Sequence, residues 1–189
     1  MPDISDQSAF VRGCLEDDTL RMRLLGRVRD LALPDCWIAA GFVRACVWDR
    51  LHGRDASPLA SDVDVVWFDP SRCAPEFDRE LEMRLRALEP DIAWEVKNQA
   101  RMHKHNGDAP YASTRDALCH WAETATAIAA RLDESGRVEL LAPFGCDDLL
   151  SMTIRPTPAF VGEKRHVVER RCRDKRWLEQ WPRAVLATL

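Results

Sequence analysis

The sequence predicts an α/β protein, more closely an α+β one, with a small mixed sheet flanked by helices and additional helices at the C-terminal end. Three observations lead to this class. A chain of 189 residues is long enough for one domain. A content of 46% hydrophobic and 31% charged residues is typical of globular proteins. Short β-branched runs alternate with segments of helical periodicity. We therefore expect a single domain over 1–189, with a core over about 18–156 and a basic helical extension over about 157–189.

The first half of the chain is predicted to alternate helices and strands. A helix with apolar residues at spacings of four, four and three begins after Asp18 and runs to Leu31. Gly41 separates a short apolar strand from the helix that follows it. Pro75 opens an amphipathic helix, and Pro90 stops it. The other predicted segments are strands at 37–40, 62–68 and 91–96, a helix at 42–51 and a loop at 54–61.

The second half is predicted to be more helical. Ser113 resembles an N-cap, and the pattern after it predicts a helix that passes Trp121 and carries Thr124, Thr126 and Arg131. Pro156 is the one plausible boundary between the core and the extension. The other predicted segments are a strand at 137–141, a short helix within 145–152 and a basic helix at about 162–180.

Composition and the ends of the chain exclude several classes of protein. A net charge of −4 argues against a generally basic nucleic-acid-binding surface. The first six residues lack the basic and apolar regions of a secretory signal. The longest apolar run, 36–43, is far shorter than the roughly 20 residues of a membrane span. The seven cysteines form no C-x-x-C pair and are expected to be reduced thiols. We expect a cytoplasmic protein with no membrane partner.

The residues most suggestive of chemistry are the carboxylates of Asp62 and Asp64. Their i, i+2 spacing on a strand places both on one side of the sheet, where they can converge on a hard cation such as Mg²⁺. Glu95 is the candidate third carboxylate, because it lies inside a predicted strand between bulky apolar residues. Asp91 is the alternative, although its position after Pro90 favours a turn. Asp-x-Asp alone is also compatible with a solvated strand surface.

Three stretches in chain order resemble the first motif of the polymerase-β-like nucleotidyltransferases. They are 40–44 (AGFVR), 51–53 (LHG) and 61–65 (SDVDV), and they are most similar to the head domain of bacterial tRNA CCA-adding enzymes and poly(A) polymerases. Four further stretches resemble a small bacterial nucleotidyltransferase-like family: 94–103, 121–126, 142–145 and 154–156. The resemblance covers roughly 20–182, and it is specific for the family rather than for a substrate.

The resemblance implies a minimal polymerase-β-like nucleotidyltransferase fold with an NTP substrate and Mg²⁺ or Mn²⁺. Asp62, Asp64 and Glu95 would be the metal ligands and catalytic residues. Gly41 would form the turn under the triphosphate, where the start of a helix offers free N–H groups to phosphate. Phe42 stands where the superfamily usually has Gly or Ser, which removes a hydroxyl contact and crowds the phosphate path.

Other residues are candidates for binding the nucleotide or the acceptor. Arg44 matches an arginine near the nucleotide in the CCA-adding enzymes; alternatively it is a salt-bridge partner on the helix face. Lys97 is followed by Asn98, Gln99 and Arg101 in a predicted loop that could line the acceptor site. Thr124 and Thr126 could contact the ligand or simply occupy a helix face.

The predicted function is transfer of a nucleoside monophosphate from NTP to an unidentified hydroxyl by a two-metal mechanism, with release of pyrophosphate. The acceptor could be RNA, protein or a small molecule. One alternative is a catalytically silent nucleotide- or RNA-binding module, and another is an antitoxin-like interaction protein. Residues 163–183 hold eight Lys or Arg against four Asp or Glu. This basic segment is either a flank for an anionic acceptor or a solvated helix face.

Overall fold

The computed structural model describes residues 4–55, 57–59 and 62–187. It confirms the predicted class, a mixed sheet flanked by helices. None of the helices in these ranges is both long and apolar enough to cross a membrane. The elements are α1 (Ile4–Glu16), α2 (Thr19–Arg29), β1 (Trp37–Ala39), α3 (Gly41–Leu51), β2 (Val63–Trp67), α4 (Pro75–Leu88), β3 (Trp94–Asn98), α5 (His103–Asn106), α6 (Thr114–Cys119), β4 (Ala129–Leu132), β5 (Val138–Leu141), α7 (Asp147–Leu150), β6 (Thr153–Ile154), α8 (Arg165–Asp174), α9 (Trp177–Gln180) and β7 (Val185–Leu186).

The main sheet has five strands in the order β3-β2-β1-β4-β5. β2 and β3 are parallel, whereas β1 is antiparallel to both β2 and β4, and β4 is antiparallel to β5. In the parallel pair Asp64 is the register partner of Glu95, and on the other side Asp64 faces Ala39 of β1. This register places two predicted site carboxylates side by side on neighbouring strands.

The two faces of β2 pack against different groups of residues. Val63, Val65 and Trp67 lie in the main hydrophobic core. Val66 points to the other face, where it packs with Trp37, Ala39, Leu118 and Ala129 in a smaller cluster. Because side chains alternate along a strand, Asp64 lies on the same face as Val66. The predicted alternation is therefore confirmed, and it separates the main core from the carboxylate face.

Several predicted elements are confirmed, some of them with shifted ends. Asp18 caps α2 by accepting the Arg21 backbone N–H at 2.9 Å. α4 begins at Pro75 and ends at Leu88, with Leu81 and Leu85 buried. β3 begins at Trp94, three residues later than predicted, and Asp91 lies exposed in the turn before it. Helix α1 lies outside the predicted elements, and within the predicted loop at 54–61 Ala56, Ala60 and Ser61 lie outside the described residues.

The prediction of one helix from Ser113 past Trp121 is wrong. The Ser113 side chain does cap α6 at the Asp116 amide, but the helix ends at Cys119. Thr124 and Thr126 lie in the connection that follows, and Arg131 lies on β4. The alanine-rich stretch has helix propensity, but it pairs as a strand instead. Ala129 and Ala130 lie fully buried on β4, between β1 and β5.

The predicted basic helix at 162–180 is divided. A 3-10 turn precedes α8, and α9 begins after Arg176, whose φ of 51° is left-handed. The break lets Trp177 of α9 and Trp181, which follows the helix, lie buried against α3. The Trp181 and Trp48 rings meet there edge to face, with their centroids 5.2 Å apart. β7 then pairs with β6. The C-terminal segment is thus packed against α3.

Candidate functional site

Asp62, Asp64 and Glu95 form a cluster of three half-buried carboxylates. One oxygen from each lies within 4.8 Å of the others. The register of β2 and β3 produces this convergence, since Asp64 and Glu95 are paired and Asp62 lies directly before β2. Carboxylate oxygens at this spacing suit a hard divalent cation. The residues present therefore fit the metal site that the sequence predicts.

Electrostatics around Asp64 also favour a cation. Burial, then the neighbouring charges of Asp62 and Glu95, raise the pKa of Asp64 to about 7, while Lys175 and Arg171 act in the opposite direction. Glu95 also forms an ion pair with the Lys97 ammonium, 3.3 Å away. Three carboxylates this close repel one another, and a bound divalent ion would offset the repulsion.

The turn before α3 lies beside this cluster. Ala40, whose amide donates to the Ile128 carbonyl at 3.0 Å, adopts φ 58° and ψ −124°. α3 begins at the next residue, Gly41, and its first-turn N–H groups have no acceptor within the helix. The crowding of the phosphate path by Phe42 stays a prediction. Phe42 is 2% exposed and lies in the main core, with the Arg21 guanidinium 5.5 Å from its ring centroid.

Replacing Ala40 with Gly is expected to raise the free energy of unfolding by about 1 kcal/mol. The backbone angles of Ala40 are those of the first central position of a type II′ turn, which favours Gly. Relief of roughly 1–3 kcal/mol of strain exceeds the roughly 0.5–1 kcal/mol entropic cost of Gly. Urea unfolding measures the change. Ala9→Gly, in the exposed middle of α1, is the matched control and should destabilise; equal destabilisation by both variants would contradict the assignment of strain.

Two cavities meet at the carboxylate cluster. The smaller cavity, about 190 Å³, is lined by Gly41, Arg44 and Trp177. The larger cavity, about 520 Å³, is lined by Glu95 and Lys97 and by several rings. Residues common to both are Ala40, Asp62, Asp64, Thr126, Arg171 and Lys175. The arrangement offers space for one ligand on each side of the carboxylate cluster.

Arg44 is a buried cation at the smaller cavity. Its guanidinium lies 4.3 Å from the Trp177 ring centroid and 5.3 Å from those of Trp48 and Trp181. Its Nε has no hydrogen-bond partner among the described residues. Burial lowers the pKa of Arg44 to about 10, against the opposing charge of Glu123. A buried guanidinium with an unused donor suits an anion such as phosphate.

Not every predicted residue reaches the two cavities. The Thr124 hydroxyl lies 2.8 Å from Asp148 and 3.3 Å from the Arg155 carbonyl, and Thr124 lines neither cavity. Thr126 lines both cavities, although its hydroxyl donates to Glu123 at 2.7 Å. Lys97 lies at the larger cavity beside Glu95. Gly41, Phe42 and Arg44 line the smaller one.

The structure adds site residues that the sequence did not single out. Arg171 and Lys175 reach both cavities from the C-terminal segment. Their i, i+4 spacing on the predicted basic helix indicates that both side chains lie on the same helix face. Glu123, fully buried, accepts from Arg171 at 2.7 Å. The lining of the larger cavity also includes the rings of Tyr111, His120, Trp121 and Phe160. No local sequence signal connects these four residues.

The fold and the site together define a polymerase-β-like nucleotidyltransferase: a mixed sheet with an Asp-x-Asp strand, a parallel neighbour carrying Glu95, and a helix start beside them. A family profile described as Nucleotidyltransferase matches residues 26–186. The chain belongs to this nucleotidyltransferase family.

Solved structures agree with this membership. A structure described as revealing a CCA-adding enzyme head domain is 35% identical, with a TM-score of 0.84 and 95% coverage of both chains. The Thermotoga maritima CCA-adding enzyme complexed with tRNA is 18% identical, with a TM-score of 0.53 over 88% of this chain and 38% of that enzyme. A CCA-adding enzyme complexed with CTP is 15% identical, with a TM-score of 0.52 over 95% and 48%. This chain thus spans less than half the length of those two enzymes. No curated protein matches it.

Proposed function

We propose that this protein transfers a nucleoside monophosphate from an NTP to a hydroxyl group, with release of pyrophosphate. Family membership and the head-domain fold support nucleotidyl transfer in general. The observation that carries the specific proposal is the position of Asp62, Asp64 and Glu95 where the two cavities join. A carboxylate-bound cation there would lie between a donor and an acceptor.

The smaller cavity is the proposed site of the NTP phosphates. The first-turn amides of α3 and the Arg44 guanidinium provide hydrogen-bond donors at one end. Arg171 and Lys175 add positive charge beside the carboxylates. A CCA-adding enzyme of the same fold has been solved with CTP, which supports an NTP as the donor.

Mg²⁺ or Mn²⁺ would be held by the three carboxylates. Such ions, when bound, neutralise phosphate charge and lower the pKa of an attacking hydroxyl. Asp62 and Asp64 line both cavities and are placed to contact both substrates, whereas Glu95 lines the larger cavity. Glu95 is therefore the carboxylate assigned to the acceptor side.

Glu95→Gln is expected to lower Mg²⁺-dependent pyrophosphate release about 100-fold or more while changing the Kd for NTP less than 3-fold. The physical reason is that Glu95 faces the attacking hydroxyl rather than the donor phosphates. The measurement combines calorimetry with transfer of label from four α-labelled NTPs to total RNA, small metabolites and cellular protein. The exposed Glu80→Gln on α4 is the control. Calorimetric NTP binding with no labelled product in any pool would contradict transfer and favour a silent binding module.

A further inference from the structure

The two cavities lie on different sides of the carboxylate cluster. The assignment of one of them to the acceptor rests on the proposed function. Gly41 and Arg44 line the smaller cavity, and Glu95 and Lys97 line the larger one. If the triphosphate occupies the side with the helix start, the attacking hydroxyl must enter from the opposite side, in line with the leaving pyrophosphate. The larger cavity is then the acceptor site.

On the acceptor side, contacts with neighbouring side chains hold the rings of Tyr111 and His120 in place. The Tyr111 hydroxyl donates to Asp108 at 2.6 Å and accepts from Asn106 at 2.9 Å. The His120 ring lies 4.8 Å from that of Tyr111, and its Nδ1 is 3.1 Å from Asp108. These contacts fix two rings before any ligand arrives, so ordering them costs little on binding.

Trp121 and Phe160 complete the apolar part of the lining. The Trp121 carbonyl accepts the buried Thr157 hydroxyl at 2.5 Å, which anchors the Trp121 backbone to the segment leading to Phe160. Both side chains are half-buried and line the larger cavity. Aromatic faces left partly exposed in a cavity suit stacking against a flat ring.

Charge pairing in the basic segment argues against a long anionic strand as acceptor. Arg171 forms an ion pair with the buried Glu123, and Arg165, Arg173 and Arg176 each have a carboxylate partner within the segment. The Arg183 guanidinium contacts the Leu51 carbonyl. Of the segment's cations, Arg171 and Lys175 line the larger cavity. A groove for a nucleic-acid strand needs a continuous row of available cations.

We propose that the larger cavity binds a small hydroxyl-bearing molecule with one aromatic or heterocyclic ring system, and that this molecule is the nucleotidyl acceptor. The volume of the larger cavity, about 520 Å³, falls within the range of small-molecule pockets. The ring stacks against Trp121 and Phe160, and the hydroxyl points to Glu95. In the reaction the hydroxyl oxygen forms a bond to the α-phosphorus, the bond from that phosphorus to the bridging oxygen breaks, pyrophosphate leaves with the electron pair, and the hydroxyl proton passes to water.

Calorimetry on the full chain, saturated with a non-hydrolysable NTP and Mg²⁺, tests this acceptor site. The probes are adenosine, which has a ring and hydroxyls, ribose, which has hydroxyls alone, and the trinucleotide ApApA. Adenosine should bind at least 10-fold more tightly than ribose and no more than 10-fold more weakly than ApApA. Trp121→Ala should weaken adenosine binding about 10-fold, and Trp121→Phe less than 3-fold, because stacking contributes roughly 1–3 kcal/mol.

Phe160→Ala supplies a second variant, with Phe77→Ala on an exposed face of α4 as its matched control. Phe160→Ala should weaken adenosine binding about 10-fold and Phe77→Ala less than 2-fold, with the affinity for the NTP analogue unchanged in both. Any of three results would overturn the proposal. Adenosine and ribose could bind equally well, or adenosine binding could be insensitive to both Trp121→Ala and Phe160→Ala. The third is ApApA binding more than 10-fold more tightly than adenosine. Loss of NTP-analogue binding in the unmodified protein would instead refute the donor site, and so the proposed function.

Discussion

Replacing Asp64 with Asn is expected to abolish nucleotidyl transfer while stabilising the metal-free protein. Asp64 belongs to the carboxylate cluster that is proposed to hold the metal. Loss of one of its ligand oxygens would remove several kcal/mol of transition-state stabilisation, a fall of about 1,000-fold or more in rate. The same substitution removes one of three mutually repelling carboxylates, so the metal-free fold should gain stability. A site arranged for a cation is expected to lower the free energy of unfolding of the protein when no cation is bound.

The gain in stability should depend on pH. The pKa of Asp64 is raised by burial to about 7 in the folded protein, above its ordinary value of 3.8. The folded state therefore holds the proton more tightly than the unfolded state, and stability falls as pH rises from about 4 through about 7. Asp64→Asn lacks this loss, so its gain in stability over the unmodified protein should be small near pH 4. At pH 8 the gain should reach about 4 kcal/mol, because each unit of the difference between 3.8 and about 7 corresponds to roughly 1.4 kcal/mol.

Urea unfolding at several pH values, with and without excess Mg²⁺, measures the difference in the free energy of unfolding between Asp64→Asn and the unmodified protein. Mg²⁺ should stabilise the unmodified protein at pH 8 more than it stabilises Asp64→Asn, because a bound cation offsets the repulsion. Asp30→Asn, an exposed position after α2, serves as the control and should show no such change. A stability advantage of Asp64→Asn that is the same at pH 4 and pH 8 would refute the electrostatic explanation.

Arg171→Met is expected to lower the free energy of unfolding by about 2 kcal/mol. Its guanidinium is the ion-pair partner of Glu123, whose side chain is fully buried and otherwise accepts from Thr126. Removing one member of such a pair leaves an uncompensated buried charge, at a cost of roughly 3–5 kcal/mol when both partners are buried. The partial exposure of Arg171 reduces the expected loss.

A double-mutant cycle separates this structural role from a role in binding. Arg171→Met combined with Glu123→Gln should recover most of the stability in urea unfolding, since no buried charge remains. The affinity for NTP should stay reduced in the double variant, because Arg171 lines both cavities. Arg170→Met, the exposed neighbour on α8, should change neither quantity. A double variant as unstable as Arg171→Met alone would show that the pair is not the cause.

The local pattern of the sequence was sufficient to predict many of the helices and strands. Period-two alternation placed Asp62 and Asp64 opposite the core face of β2, and proline and apolar spacing fixed both ends of α4. These features depend on residues close together in the chain. The same reasoning failed for Thr124 and Thr126, because alanine-rich segments have helix propensity yet fit the crowded centre of a sheet.

By itself the sequence determined the family, the carboxylate pair and the face on which that pair lies. Only the tertiary structure decided that Asp64 and Glu95 are register partners, and that Arg171 and Lys175 approach them from more than 70 positions along the chain. It also gathered Tyr111, His120, Trp121 and Phe160 into one cavity wall and buried the ring of Phe42. The physical reason is that periodicity reports which face of an element is apolar, whereas strand neighbours and cavity linings depend on packing between distant segments.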